Sequence, residues 1–163
     1  MGSVSGSEVT AADEACLERA VALAWEARKR GDHPFGALLV TAGGAVLEAL
    51  NSVVTGADPT GHAETNLVRL AGELDFGTRA GSTLYTSTEP CAMCAGAIYW
   101  SGIGRMVFAL SERDLAAMVV EEEGVPPLQL PSREVFAHGG RAIVVDGPVP
   151  LAAATAVHQG FWT

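Results

Sequence analysis

The stretch "STEPCAMCAGAIYWSG", Ser87 to Gly102, decides how this chain is read. Cys91 and Cys94 lie two residues apart, directly after Pro90. Such a pair can be a redox couple, half of a structural zinc clip or part of a catalytic metal site. "STLYTST" ahead of it reads as a strand. "PCAMCAGAIYW" reads as a helix with Pro90 at its first position, where proline is best tolerated. A strand feeding straight into a helix favours an α/β layering.

Working outward, the other segments continue that alternation. Thr10 caps a first helix with Asp13 three residues on, a capping box using Asp in place of Glu. That helix runs to about Arg30, and Gly31 stops it. Its apolar stripe is Cys16, Ala20, Leu23, Ala24 and Ala27. "FGALLV" and "AVLEAL" flank "TAGG" and read as a hairpin. "DPTG" is a turn, and "HAETNLVRLAG" a helix ended by Gly72. "RMVFAL" is a strand, "SERDLAAMVV" a helix, "GRAIVVDG" a strand and "PLAAATAVHQG" a last helix. The sum is α-β-β-α-β-α-β-α-β-α, one domain over 1–163 with residues 1–9 as a flexible leader. The hairpin makes the sheet mixed.

Bulk properties exclude several classes. The chain has 163 residues and 48% hydrophobic content, which suits one domain with a sizeable core. No apolar run reaches membrane-spanning length. The N-terminus lacks a basic-then-apolar signal pattern, so a cytoplasmic protein is expected. The net charge is −9, from 10 Lys and Arg against 19 Asp and Glu. No Lys or Arg follows Arg141. Nucleic-acid affinity comes mainly from cations on phosphates, so a small substrate is expected. An odd count of three cysteines argues against a disulfide framework. Cys16 reads as a core residue.

Chemistry concentrates at two predicted helix starts. His62, Cys91 and Cys94 are all good zinc ligands, and Cys91 and Cys94 share one helix face. A helix N-terminus also favours thiolate over thiol. If both helices aim their starts at one spot, three protein ligands leave a fourth position for water, the mark of a catalytic site. Glu64, two residues past His62, then sits beside the metal, placed to carry a proton. A structural clip needs a fourth ligand, and His33, His138, His158 and Cys16 lack clip-like spacing. A redox pair leaves His62 and Glu64 unexplained.

H-x-E followed by P-C-x-x-C is the known signature of zinc-dependent base deaminases. The chain resembles the cytidine-deaminase superfamily, in the branch holding guanine deaminase, fungal cytosine deaminase and tRNA adenosine deaminase. The resemblance rests on "HPFGALLV", "ALNSVVTGADPTGHAETNLVRLAG" and "LYTSTEPCAMCAGAIYWSGIGRMVFAL", which together span His33 to Leu110, about half the chain. It implies a three-layer α-β-α sandwich on a five-stranded mixed sheet. It implies Zn2+ on His62, Cys91 and Cys94, with Glu64 as the proton shuttle. By the same resemblance Asn51 contacts substrate and Phe35 lines the pocket. The backbone amides of Ala63 and Cys91 are placed to polarise a ring carbonyl or the attacking oxygen. A homodimer is implied, with the helices around Trp100 as one candidate contact.

Two segments keep both readings. "VVEEEGVPP", Val119 to Pro127, is a solvated acidic loop or a substrate contact. In guanine deaminases an acidic residue here meets the base, and the gapless count lands on Glu122, or Glu123 with one residue of slack. "HQGFWT" is packing, or a cap in which Phe161 or Trp162 closes the pocket. The implied reaction is hydrolytic deamination of a free amino-heterocycle: guanine, cytosine or a related aza-base or amino-triazine. The tRNA-editing branch shares "HAE" and "EPCAMCAGA", but its basic surface has no counterpart here. Cytidine deaminases proper generally carry a third cysteine where His62 stands, which disfavours a nucleoside. The non-enzyme alternative is a deaminase-fold module holding zinc for stability alone.

Overall fold

Thr10 opens the first helix. Its hydroxyl accepts from the Asp13 N–H, and the Asp13 carboxylate accepts from the Thr10 N–H, closing the capping box. Helix α1, Ala11–Arg30, stops at Gly31, whose φ of 95° lies in the left-handed region that glycine enters without a Cβ clash. The computed structural model describes residues 3–4, 8–119 and 126–162. Around α1 the order is β1 (Ser3–Val4), β2 (Gly36–Val40), β3 (Val46–Leu50), α2 (Ala63–Ala71), α3 (Phe76–Ala80) and β4 (Thr83–Thr88). There follow α4 (Ala92–Ser101), β5 (Arg105–Leu110), α5 (Glu112–Met118), α6 (Ser132–Ala137), β6 (Ile143–Asp146) and α7 (Ala152–Ala156).

The sheet runs β1-β6-β5-β4-β2-β3. Strand β2 is antiparallel to β3 and β4, while β4, β5, β6 and β1 are mutually parallel along the row. The five expected strands form a mixed sheet, and Ser3–Val4 adds a short rung beside Ile143 and Val144. Side chains alternate across the sheet as the strand period demands. Leu39, Leu84, Met106 and Phe108 face one way and pack with Leu67 of α2, Ile98 of α4 and Phe136 of α6. Leu38, Tyr85, Val107 and Ala109 face the other way and pack with Leu17 and Leu23 of α1 and Ala154 of α7. Burial of each large side chain contributes about 1.5–3 kcal/mol, so both outer layers are held by the sheet rather than by their own helix propensity. Gly36 lets α1 lie directly on β2, since a Cβ there would meet the Ala20 carbonyl oxygen at 2.4 Å.

Several expectations are corrected. Pro90 precedes the helix; Cys91 is the N-cap of α4, and regular helix begins at Ala92. Helices α3 and α6, of five and six residues, were not expected. The last helix is only Ala152–Ala156, after which the chain turns back through His158 to Trp162. Trp100, named above as a candidate contact, is 85% exposed. Cys16 is partly buried at the core's edge.

Topology gathers one end of the sheet. Since β2 opposes β4 with Ala37 beside Thr86, the start of β2 lies at the end of β4. The end of β3 lies there too, because the Asn51 N–H donates to the Phe35 carbonyl (3.1 Å). A turn then brings α2 back to the same edge through Ser52 N–H to Gly61 O (2.8 Å).

Candidate active site

His62 and Cys91 are the N-caps of α2 and α4, both in extended conformation. Helix α2 packs on α4, and this brings the two helix starts together. His62 Nδ1 lies 3.5 Å from Cys91 Sγ and 3.5 Å from Cys94 Sγ. These three donor atoms all fall within 4.8 Å of one another. A tetrahedral zinc with Zn–S of about 2.3 Å and Zn–N of about 2.0–2.1 Å holds N and S about 3.5 Å apart. The donor set therefore fits zinc in kind and in spacing.

Charge supports the fit. A hydrogen bond from Cys94, with His62 beside it, lowers the Cys91 thiol to about 4. The bond to Cys91 and burial push the Cys94 thiol up. The protein alone thus favours one thiolate and resists a second; a divalent cation removes that resistance. The Thr65 hydroxyl sits 3.2 Å from Cys94 Sγ. Hydrogen bonding to Cys91 raises His62.

Glu64 lies in the first turn of α2 and is 4% exposed. Burial raises its carboxyl above the usual range. Thr86 Oγ1 donates to Glu64 Oε1 (2.8 Å) and lies 2.9 Å from the Thr88 carbonyl oxygen. A hydroxyl has one hydrogen. With Glu64 ionised, Thr86 gives it to the carboxylate. With Glu64 protonated, Thr86 accepts from it and donates to Thr88.

Asn51, 1% exposed, is oriented by its surroundings. Its Oδ1 accepts from the His33 N–H (3.3 Å) and the Val53 N–H (3.1 Å). Among the described residues nothing accepts from its Nδ2, which leaves the amide as a donor. Arg30 donates to the Asn51 carbonyl (2.8 Å) and to Asp32 (2.7 Å). Asp32, fully buried, accepts from Val54 N–H, Thr55 N–H and the Thr55 hydroxyl. Ala63 and Cys91 stand at helix starts, where N–H groups have no intrahelical acceptor.

Phe35 is half-buried and meets His158 at 5.3 Å and Trp162 at 6.1 Å between ring centroids. Glu122 and Glu123 lie outside the described residues. Beside the Cys91 turn, a cavity of about 560 Å³ is lined by Glu89, Glu112, Arg113, Gln129 and neighbours. Glu89 accepts from the Glu112 and Ser132 N–H groups, and burial next to Glu89 pushes Glu112 up to about 7.

Residues 10–110 match the family model described as the cytidine and deoxycytidylate deaminase zinc-binding region. The chain belongs to this family. It is 40% identical over 159 residues to a probable cytosine deaminase of Schizosaccharomyces pombe, covering 98% of each chain. It is 42% identical over 105 residues to a guanine deaminase of Bacillus subtilis, covering 63% of this chain and 67% of that one. A solved guanine deaminase from Nitrosomonas europaea superposes with a TM-score of 0.72 at 28% identity, covering 93% of this chain and 85% of that one. The chain is thus a zinc-binding deaminase domain, and His62, Cys91 and Cys94 form its candidate metal site.

Motif reading placed His62, Cys91 and Cys94 at two helix starts, and the fold brings their donor atoms together. It missed Thr86, Thr88, Asp32 and His158. For Thr86 and Thr88 a signal existed: polar residues recur at alternate positions of a strand otherwise destined for burial. Asp32 and His158 belong to no local pattern.

Proposed function

We propose that this protein is a hydrolytic deaminase of a free amino-heterocycle, a nucleobase such as guanine or cytosine or a related amino-triazine, releasing ammonia. The observation that carries it is the buried Glu64 carboxyl standing two residues from His62, beside a three-donor cluster, with one side-chain partner. His62, Cys91 and Cys94 would hold zinc, which when bound supplies a Lewis acid and a water acidified towards neutral pH. Glu64 takes one proton from the attacking water and gives it to the ring nitrogen, then takes the second from the added hydroxyl and gives it to the amine, which leaves as ammonia while the ring carbonyl forms. Thr86 serves both protonation states of that carboxyl. The Asn51 amide donates to a ring acceptor, and the Ala63 and Cys91 N–H groups face developing negative charge. The near full-length likeness to a probable cytosine deaminase supports a base-sized substrate.

A polynucleotide substrate is disfavoured by a net charge of −9 and by a C-terminal region without Lys or Arg after Arg141. No helix of the described residues is long and apolar enough to cross a membrane, and a cytoplasmic setting accords with a nucleobase substrate. Helix α4 presents Met93 (37% exposed) and Trp100 (85% exposed) at its surface. We assign that surface to a homodimer contact.

The test is ammonia release from guanine, cytosine, adenine, amino-triazines, the matching nucleosides and tRNA, with wild type and Glu64→Ala. Release from one or more free bases, lost in the variant with zinc and fold retained, is expected. No release from any compound would favour a zinc-stabilised module. Wild-type release by Glu64→Ala would remove Glu64 from the shuttle role.

A further inference from the structure

His158 is a fully buried histidine that belongs to no metal cluster among the described residues. Its two ring nitrogens have different partners. Trp162 Nε1–H donates to Nδ1 at 3.2 Å. Indole nitrogen only donates, so Nδ1 is the acceptor. The hydrogen then sits on Nε2, which donates to Thr88 Oγ1 at 3.3 Å. Burial, with Arg28 nearby, holds the imidazole down to about 4, so this neutral tautomer persists at ordinary pH.

Both partners belong to opposite sides of the site. Thr88 ends β4, three residues before Cys91, and its carbonyl faces the Thr86 hydroxyl that bonds Glu64. The Trp162 and His158 rings lie within 15° of parallel, with centroids 6.2 Å apart. The indole also meets Phe35 at 6.1 Å and His33 at 5.4 Å. His33 is the residue whose N–H orients Asn51. Arg28 holds the backbone on either side, donating to the Val157 and Gln159 carbonyls (2.7 and 2.8 Å). Backbone and ring are thus held by different residues: Arg28 docks the segment as far as Gln159, and His158 holds the indole and with it the residues beyond.

We propose that His158 is a positioning residue that pins Trp162 against Phe35 and His33 across the substrate end of the site, so that the pocket admits a free base and excludes a ring bearing a sugar. This rests on the nucleobase reading above. The pin acts through a single rotamer: lose the Nδ1 acceptor and the indole N–H must turn to solvent, opening the wall that Phe35 and Trp162 form.

Two substitutions separate the two bonds. His158→Asn places its amide oxygen near the position of Nδ1 and keeps the Trp162 acceptor. His158→Gln reaches Thr88 and loses that acceptor. The readouts are kcat/KM for guanine against guanosine and cytosine against cytidine, and amide hydrogen exchange across the peptide containing Phe161 and Trp162. Expected for His158→Gln is a rise of about tenfold or more in nucleoside relative to base turnover, with faster exchange in the tail. His158→Asn should stay close to wild type in both. Trp162→Phe, which keeps the ring and removes the donor, should follow His158→Gln and serves if that variant does not fold. An unchanged base-to-nucleoside ratio in His158→Gln, or equal turnover of base and nucleoside by wild type, overturns the selectivity role. Unchanged exchange overturns the pin itself. Absence of ammonia release from every base by wild type overturns the nucleobase reading instead, and the exchange result still decides the pin.

Discussion

Asp13 and Glu64 are buried to the same degree, each 4% exposed, on opposite faces of the sheet, and their surroundings drive them in opposite directions. Asp13 accepts a two-pronged bond from Arg105, a bond from the Tyr85 hydroxyl (2.6 Å) and the Thr10 N–H. The Arg105 guanidinium holds its carboxyl well below the usual carboxylate range. Arg105 also pairs with Asp146. Glu64 has the Thr86 hydroxyl as its side-chain partner, and burial pushes it up. Two side chains equally closed to solvent thus shift in opposite directions. Asp13 is governed by the guanidinium beside it, and Glu64 by the depth of its burial with a hydroxyl as its side-chain partner.

Four measurements would break or sharpen that contrast. The largest effect is expected from Glu64→Gln, which should lower kcat/KM by about 10²–10⁴-fold, the usual range for a lost general acid or base. Its thermal stability should hold or rise, because an under-partnered buried carboxyl is removed. A loss of stability comparable to that of an Asp13 variant would dissolve the distinction. Asp13→Asn should do the reverse. Breaking the buried pair should cost about 3 kcal/mol, a fall of about 6–12 °C in Tm for a chain of this size, with kcat of the folded enzyme unchanged. Thr86→Val keeps shape and removes the hydroxyl, so stability should fall by about 1 kcal/mol. Deamination should slow less than in Glu64→Gln, checked by parallel melting curves and initial rates.

The remaining measurement is the acid dependence of stability. His158 moves from an ordinary 6.5 down to about 4 on folding. The unfolded chain therefore takes up that proton first, and stability declines as pH falls from 6.5 to about 4, then levels. Arg28 from α1 faces the same segment and opposes the charge. Asp13 has its folded value depressed from 3.8, so its contribution is complete above 3.8 and is lost only as pH falls further. Denaturant titrations across pH 3–7 should show the upper window missing in His158→Asn and the lower one missing in Asp13→Asn.

Much of the site was legible because its parts are local. His62 with Glu64, and Cys91 with Cys94, lie within one turn of their own helix starts, so spacing alone put them on usable faces. The Thr10 capping box was legible for the same reason. Helices α3 and α6 escaped notice because five or six residues carry too little periodicity. Pro90 was misplaced by two positions: it precedes the Cys91 N-cap, and the helix begins after the thiol that it helps to ionise.

His158 shows where the sequence stops. It opens the "HQGFWT" stretch, whose aromatics were legible, and Trp162 lies only four residues on, but Thr88 is 70 residues away and only the fold delivers it. The same holds for Asp32, whose carboxylate reaches forward to Thr55 and so braces the turn that carries Asn51. The sequence by itself determined the zinc-binding chemistry, the helix starts that bear it and the alternation of strands and helices, because each is written in residues a few positions apart. Only the tertiary structure decided which buried carboxyl is held ionised by an arginine and which is left with a hydroxyl as its side-chain partner, and that His158 stands between Thr88 and Trp162. Those outcomes depend on Tyr85, Thr86, Thr88 and Arg105, contributed by distant strands, and no local pattern encodes them.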